Sequence, residues 1–143
     1  MALLDLHHVT IKARDLEETE RFYVEILGME KVARPEFDFP GAWLQMGRTM
    51  FHLMGGYMAV DDQGRFEEGG AAVDHIAMLA KGYDEMKARL LAHGLKVSES
   101  VITSPPLWQL FVDDPNGVRL EMNFNSSEEP EDARGPDVGS PRA

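Results

Sequence analysis

Leu6-His7-His8-Val9-Thr10-Ile11-Lys12 is a β-branched stretch of alternating character, which predicts a β-strand. The chain later repeats it as Val73-Asp74-His75-Ile76-Ala77-Met78. A helix pattern follows each copy and ends at a glycine, Gly28 in the first case and Gly94 in the second. Gly28 lies 20 positions after His8 and Gly94 lies 19 after His75, so the two halves align with about one gap. An internal repeat of this size is a strong guide to the fold.

Both halves have elements in the order β-α-β-β-β. In the first half, Asp15 followed by Glu18 is the pattern of a capping box at a helix start. In the second half, Asp113-Asp114-Pro115-Asn116-Gly117 predicts a tight turn between the last two strands. We therefore predict an α+β fold in which two βαβββ modules form a curved mixed sheet around a shared metal cavity.

We expect a single domain over residues 1–124, with module one at about 4–56, a glycine-rich linker at 57–70 and module two at about 71–124. Residues 125–143 contain five acidic residues and three prolines but few apolar ones. Such a segment buries too little surface to offset its ordering entropy. We therefore predict that it is an acidic disordered tail.

The composition excludes several classes of function. The formal net charge of the 143-residue chain is -11, which would repel nucleic acid and anionic membranes. The chain has no cysteine, so disulfides, thiolate metal ligands and a cysteine nucleophile are excluded. The same absence fits a reducing compartment, and the first residues lack a basic signal-peptide region. We expect a cytoplasmic protein with a small-molecule substrate.

Four polar residues occupy matching places in the two halves. His8 and His75 lie on the first predicted strand of each half, whereas His52 and Glu121 lie on the last. His52 follows His8 by 44 positions and Glu121 follows His75 by 46, an even difference that preserves the face of the strand. The four residues together predict a metal site with three imidazoles and one carboxylate.

This donor set suits one divalent ion of Zn, Ni, Co, Mn or Fe. His8, His75 and Glu121 alone would form a two-histidine, one-carboxylate triad with open positions for substrate. Either Glu121 or His52 could also move a proton, which makes both candidate catalytic residues. In contrast, His7 falls on the opposite strand face, and His93 at a helix end is explained by the helix dipole.

An apolar pocket around the ion is also predicted. Its candidate walls are aromatic and methionine side chains near the predicted ligands: Phe37, Phe39, Trp43, Met50, Met54 and Trp108. Ordinary core packing explains these residues equally well.

The chain resembles the vicinal oxygen chelate superfamily, which includes glyoxalase I, extradiol dioxygenases, methylmalonyl-CoA epimerase and bleomycin-resistance proteins. The resemblance is carried by His8-Val9-Thr10-Ile11, Phe22-Tyr23, Asp74-His75-Ile76-Ala77 and Asp114-Pro115-Asn116-Gly117-Val118-Arg119-Leu120-Glu121. It implies paired βαβββ modules, a metal at His8, His75 and Glu121, a fourth ligand at the position of His52, and a homodimer. Bacterial glyoxalase I has glutamate where this chain has His52.

Three functions follow as expectations from this resemblance. The first is a glyoxalase-type lyase or isomerase, in which the metal holds two neighbouring substrate oxygens while a proton is moved. The second is an Fe(II) extradiol-type dioxygenase. The third is a metal-free protein that sequesters a ligand, as bleomycin-resistance proteins do.

Overall fold

A strand, a helix and three further strands occur twice along the chain, as the repeat predicts. The structure is a computed structural model and describes residues 1–140. The chain divides into two compact units, Met1–Glu68 and Gly69–Ala143. Within the described residues, no helix has the length and apolar character needed to cross a bilayer.

The first unit contains a four-stranded mixed sheet and one helix. Its strands are β1 (His8–Lys12), β2 (Glu30–Val32), β3 (Gly41–Met46) and β4 (Thr49–Met54), in the order β1-β4-β3-β2. β1 and β4 are parallel, whereas the other neighbours are antiparallel. The helix α1 (Leu16–Arg21) continues into a π-helical segment, Phe22–Ile26.

The second unit repeats this topology. Its strands are β5 (Ile76–Ala80), β6 (Ser98–Ile102), β7 (Leu107–Asp113) and β8 (Arg119–Asn125), in the order β5-β8-β7-β6. β5 and β8 are parallel, and the helix α2 covers Tyr83–Ala92. The prediction of an α+β fold with two βαβββ modules and mixed sheets is confirmed.

Short-range chemistry sets where α1 begins and the helical segment ends. Asp15 caps α1, because its Oδ1 accepts a hydrogen bond from the Glu18 backbone N–H at 3.0 Å. The buried hydroxyl of Thr19 donates to the Asp15 carbonyl at 2.8 Å. Gly28 follows the helical segment with φ +81°, a conformation that favours glycine. The predicted helix start at Asp15 and end at Gly28 are thus confirmed.

One face of each sheet forms the core of its unit, since side chains alternate along a strand. In the first unit, Ile11, Phe51 and Leu53 are buried on the face that also buries Phe22 and Tyr23 from the helix. In the second unit the buried residues are Met78, Leu110, Leu120, Met122 and Phe124, together with Tyr83 and Leu90 of α2. Burying each large apolar side chain contributes about 1.5–3 kcal/mol. The opposite faces are left for the polar residues.

Two boundaries in the second unit differ from prediction. His75 lies one residue before β5, although the sequence predicts a strand that starts at residue 71. The predicted strand at 95–98 is wrong: β6 runs over Ser98–Ile102, pairing Ser98 with Phe111 and Ile102 with Leu107. Residues 101 and 102 therefore belong to β6, although the two prolines at 105 and 106 predict a loop over 101–106.

The segment that follows β8 contacts the second unit. The Glu129 carboxylate accepts from the backbone N–H groups of Gly82 and Tyr83, at 3.0 and 3.2 Å, and so caps α2. The carbonyl of Gly139 accepts from the Glu99 N–H on the edge strand β6 at 2.7 Å. Disorder of residues 125–143 in solution stays a prediction, and residues 141–143 lie outside the described part.

Candidate metal centre

The first unit brings two of the predicted ligands into ring contact. His8 is the first residue of β1, and His52 lies on β4, where it pairs with Trp43 of β3. The His52 ring stacks on Trp43 at 4.2 Å between ring centroids and on His8 at 4.0 Å. Nδ1 of His8 lies 2.8 Å from Nδ1 of His7. His8 and His52 therefore share the sheet face opposite the core, as predicted.

His52 has an unusual nitrogen. Its Nε2 atom is buried, and it has no hydrogen-bond partner among the described residues. Burial lowers the pKa of His52, and the neighbouring charges of His8, His7 and Arg34 lower it further. A neutral imidazole with an unpartnered nitrogen has the chemistry of a metal ligand.

The second unit brings together the other two predicted ligands. Nε2 of His75 lies 3.0 Å from Oε2 of Glu121, whose residue is only 8% exposed. Nδ1 of His75 lies 2.8 Å from Oδ2 of Asp74. Because a carboxylate only accepts hydrogen bonds, Asp74 favours the proton on Nδ1, and the Nε2 lone pair then faces the Glu121 oxygen. Two such acceptors at this distance require a proton or a cation between them.

Gln109 is a further hydrogen-bond partner of Glu121 that the sequence does not predict. Its amide Nε2 donates to Oε1 of Glu121 at 2.8 Å and to Oδ1 of Asn123 at 2.9 Å. Gln109 pairs with Asn123 across β7 and β8, so the three side chains lie on one face. The available signal was one polar residue within the apolar run 107–112.

A cavity of about 510 Å³ lies beside this pair in the second unit. Phe111, which pairs directly with Glu121, and Arg119 belong to its lining. Arg119 donates to Asp113 at 3.0 Å, so its charge is balanced locally. The other lining residues are Asp74, His75, Ser100, Asp113, Gly117, Glu121 and Ser140.

The strand registers show that the two pairs are equivalent. His8 pairs with Met50 on β4, and His52 lies two residues further along that strand. The β5–β8 register, extended by one residue, places His75 opposite Arg119, and Glu121 again lies two residues further. The sequence prediction of repeat-equivalent positions on matching faces is confirmed by these registers.

The donor chemistry of the pairs fits a divalent metal. Within residues 1–140, no three His, Cys, Asp or Glu side chains are grouped as a metal site, so the four predicted ligands form one pair in each unit. Imidazole nitrogen and carboxylate oxygen suit Zn and its neighbours in the transition series. His75 Nε2 and Glu121 Oε2, which lie 3.0 Å apart, would be the two atoms that hold the ion in the second unit.

The predicted aromatic pocket is corrected at one position. Trp108 packs against Tyr83 of α2 at 5.3 Å, on the core face and away from Glu121, because it pairs with the buried Phe124. Trp43 does lie on the face of His52. Next to it, Phe37 and Phe39 stack at 5.4 Å, with the Arg34 guanidinium within 4.9 Å of both rings.

Comparison with known proteins shows the family of this chain. The family model of the Glyoxalase/Bleomycin resistance protein/Dioxygenase superfamily matches residues 5–122. The chain belongs to this superfamily. Its members include enzymes and non-enzymatic binding proteins, and the enzymes commonly use a divalent metal.

Individual relatives have different names. A protein named Glyoxylase I 4 from Arabidopsis thaliana is 25% identical over 126 residues, covering 84% of this chain and 70% of the relative. A Bacillus subtilis protein named as the ring-cleaving dioxygenase MhqE is 32% identical over 108 residues, covering 68% of this chain but 34% of that protein. A crystal structure assigned to the glyoxalase family, from Bacillus anthracis, has a TM-score of 0.71 at 26% identity, covering 87% of this chain and 98% of that one.

Proposed function

We propose that this protein is a divalent-metal-dependent enzyme that moves a proton on a small substrate with two neighbouring oxygen atoms, as a glyoxalase-type lyase or isomerase does. The observation that carries the proposal is the His75–Glu121 pair, whose facing acceptor atoms lie 3.0 Å apart beside a cavity of about 510 Å³. Superfamily membership and the relative named as a glyoxalase support the same class of reaction.

In this proposal His75 and Glu121 are metal ligands in the second unit, and His8 and His52 are metal ligands in the first unit. The bound ion would act as a Lewis acid that stabilises negative charge developing on the substrate oxygens. Gln109 holds one oxygen of Glu121 at 2.8 Å and leaves the other towards His75. The Glu121 carboxylate is the first candidate to accept and return a proton, and His52 is the second.

The cavity limits the substrate to a small molecule. Phe111 offers an apolar wall, while Ser100 and Arg119 offer polar groups that could orient substrate oxygens. We further propose that the protein is cytoplasmic and forms a homodimer. Light scattering of the purified protein would test the homodimer. Neither nucleic acid nor a membrane is proposed as a partner, since the net charge is -11.

Metal content tests the proposal directly. Elemental analysis of tag-free protein should find bound Zn, Ni or Co, with the metal content lowered in His8→Ala and in Glu121→Ala. His93→Ala is the matched control, since His93 only ends α2, and it should retain the metal. A screen of hemithioacetals and α-hydroxycarbonyls would then identify the substrate.

No metal in the wild type, even after reloading, would overturn the proposal and leave a ligand-binding groove as the best account. Metal retained in Glu121→Ala would instead remove Glu121 from the ligand set.

A second candidate is an Fe(II) extradiol-type dioxygenase, favoured by the 32% identity to the protein named as a ring-cleaving dioxygenase. Two histidines and one carboxylate are the ligands such iron sites use. This candidate requires oxygen uptake with catechols after anaerobic loading with Fe(II). Absence of uptake across a catechol panel rejects it and leaves the proton-transfer reaction.

A further inference from the structure

Two of the three predicted ligand histidines, His8 and His75, are contacted in the same way by the residue that precedes them. In the first unit, Nδ1 of His7 lies 2.8 Å from Nδ1 of His8. In the second unit, Oδ2 of Asp74 lies 2.8 Å from Nδ1 of His75. His7 and Asp74 occupy equivalent places in the repeat. The same contact therefore occurs once in each unit, made by an imidazole in the first and by a carboxylate in the second.

The contact made by His7 corrects a sequence prediction. In a continuous strand His7 would point away from His8, so strand alternation predicts that the two side chains lie on opposite faces of the sheet. However, β1 begins at His8 and β5 begins at Ile76, so His7 and Asp74 both precede the regular strand. Their side chains can therefore turn towards the following imidazole.

Asp74 determines which nitrogen of His75 carries the proton. An ionised carboxylate has no proton to donate, so His75 Nδ1 must be the donor in their 2.8 Å hydrogen bond. In a neutral ring this leaves Nε2 with its lone pair, directed towards Glu121 Oε2 at 3.0 Å. Asp74 thus holds His75 in the tautomer that binds a metal through Nε2.

In the first unit either imidazole can be the acceptor, and the choice decides which nitrogen of His8 is left to bind a metal. One Nδ1 of the His7–His8 pair must donate and the other accept, because both rings are imidazoles. If His8 donates, its Nε2 is free to bind a metal and His7 has its own proton on Nε2. The reverse assignment would place a proton on His8 Nε2 and block that atom.

We propose that His7 and Asp74 are positioning residues, each accepting a hydrogen bond from Nδ1 of the next histidine and reserving Nε2 as the metal-binding atom. This inference rests on the proposed metal-dependent function. Partners that orient a metal-bound imidazole typically change metal affinity by about 10–100-fold. Asp74 accepts a charge-assisted hydrogen bond, which is stronger than the neutral one made by His7, so its loss should weaken binding more than loss of His7.

The test measures Zn²⁺ affinity by competition with a chromophoric chelator. His7→Ala and Asp74→Ala should each weaken Zn²⁺ binding by about 10–100-fold, with the larger loss for Asp74→Ala. His7→Asn and Asp74→Asn retain an acceptor oxygen and should restore most of the affinity. Asp84→Ala, which removes an exposed carboxylate from the first turn of α2, is the matched control and should bind as the wild type does.

Nitrogen chemical shifts give a second readout that a merely structural role would not move. In ¹⁵N-labelled, Zn²⁺-loaded protein, His8 and His75 should have the metal on Nε2 and a proton on Nδ1. Metal on Nδ1 of either ring, or wild-type affinity in both alanine variants, would overturn the inference while leaving the proposed function intact. Failure of the wild type to bind Zn²⁺ would instead overturn the proposed function and this inference together.

Discussion

Gln109 donates a 2.8 Å hydrogen bond to Oε1 of Glu121, the carboxylate oxygen that does not face His75. Both residues are buried, and the same amide also reaches Asn123 at 2.9 Å. Gln109 therefore fixes the rotation of the Glu121 carboxylate.

Replacing this amide tests its role as a support for the carboxylate. Gln109→Met keeps the side-chain volume and removes the donor, and we expect metal affinity to fall about 10–100-fold while the fold is kept. Chelator competition measures the change. Gln45→Met, which removes an amide that bonds only to backbone carbonyls near the Gly47 turn, is the control. Unchanged affinity in Gln109→Met would show that Glu121 needs no such support.

The lowered pKa of His52 predicts an acid-sensitive first unit. Because burial and the neighbouring histidines disfavour its charged form, the unfolded chain binds a proton at His52 more readily than the folded chain does. The free energy of unfolding of metal-free protein should therefore fall as pH drops below about 6.5, the pKa of an unperturbed histidine. Urea denaturation between pH 7.5 and 5 measures this slope. His52→Phe, which cannot titrate, should have a smaller slope, and an equal slope would contradict the assignment.

The buried ion pair between Lys87 and Glu99 holds the C-terminal segment on the second unit. Nζ of Lys87 lies 2.8 Å from Oε2 of Glu99 and donates to the Arg134 carbonyl at 2.7 Å, and both side chains are almost fully buried. Arg134 and the Tyr83 hydroxyl complete the partners of Glu99, at 2.9 and 2.6 Å.

Breaking this pair should be costly, because Oε2 of the buried Glu99 loses its cation and Arg134, at 2.9 Å from Oε1, is the remaining positive partner named above. Lys87→Met should lower the free energy of unfolding by about 3–5 kcal/mol. The matched control is Lys81→Met, since Lys81 pairs with Glu128 at the surface, and there we expect at most about 1 kcal/mol. Thermal and urea denaturation measure both. A small effect in Lys87→Met would mean that Arg134 alone compensates Glu99.

Most of the fold can be predicted from the internal β-α-β-β-β repeat. The periodic patterns, the Asp15 cap and the terminal glycines are local signals, and they placed α1, α2 and β4 close to their observed bounds. Position along equivalent strands matched His8 with His75 and His52 with Glu121, because side chains alternate between the two faces of a strand. Strand alternation thus predicted which of these residues share a face, and their role as metal ligands stays a prediction.

What the sequence did not predict depends on contacts between distant residues. β6 was missed because its Glu99 is buried only by partners such as Lys87 and Arg134, which are 12 and 35 residues away. Gln109 was missed because its role depends on the register of β7 against β8. The turn of the His7 ring towards His8 depends on where β1 begins, which differs by one or two residues from any pattern-based boundary.

The turn before β8 provides the last prediction. Oδ1 of the buried Asp114 accepts from the backbone N–H groups of Asn116 and Val118, both at 2.8 Å. Asp114→Ala leaves these donors unpaired in a site that water cannot easily enter, so the free energy of unfolding should fall by about 2–3 kcal/mol. Asp113→Ala is the neighbouring control, because Asp113 only forms an exposed pair with Arg119, and it should change stability by at most about 1 kcal/mol. Urea denaturation compares the two, and equal effects would show that the Asp114 side chain does not hold the turn that leads into the strand of Glu121.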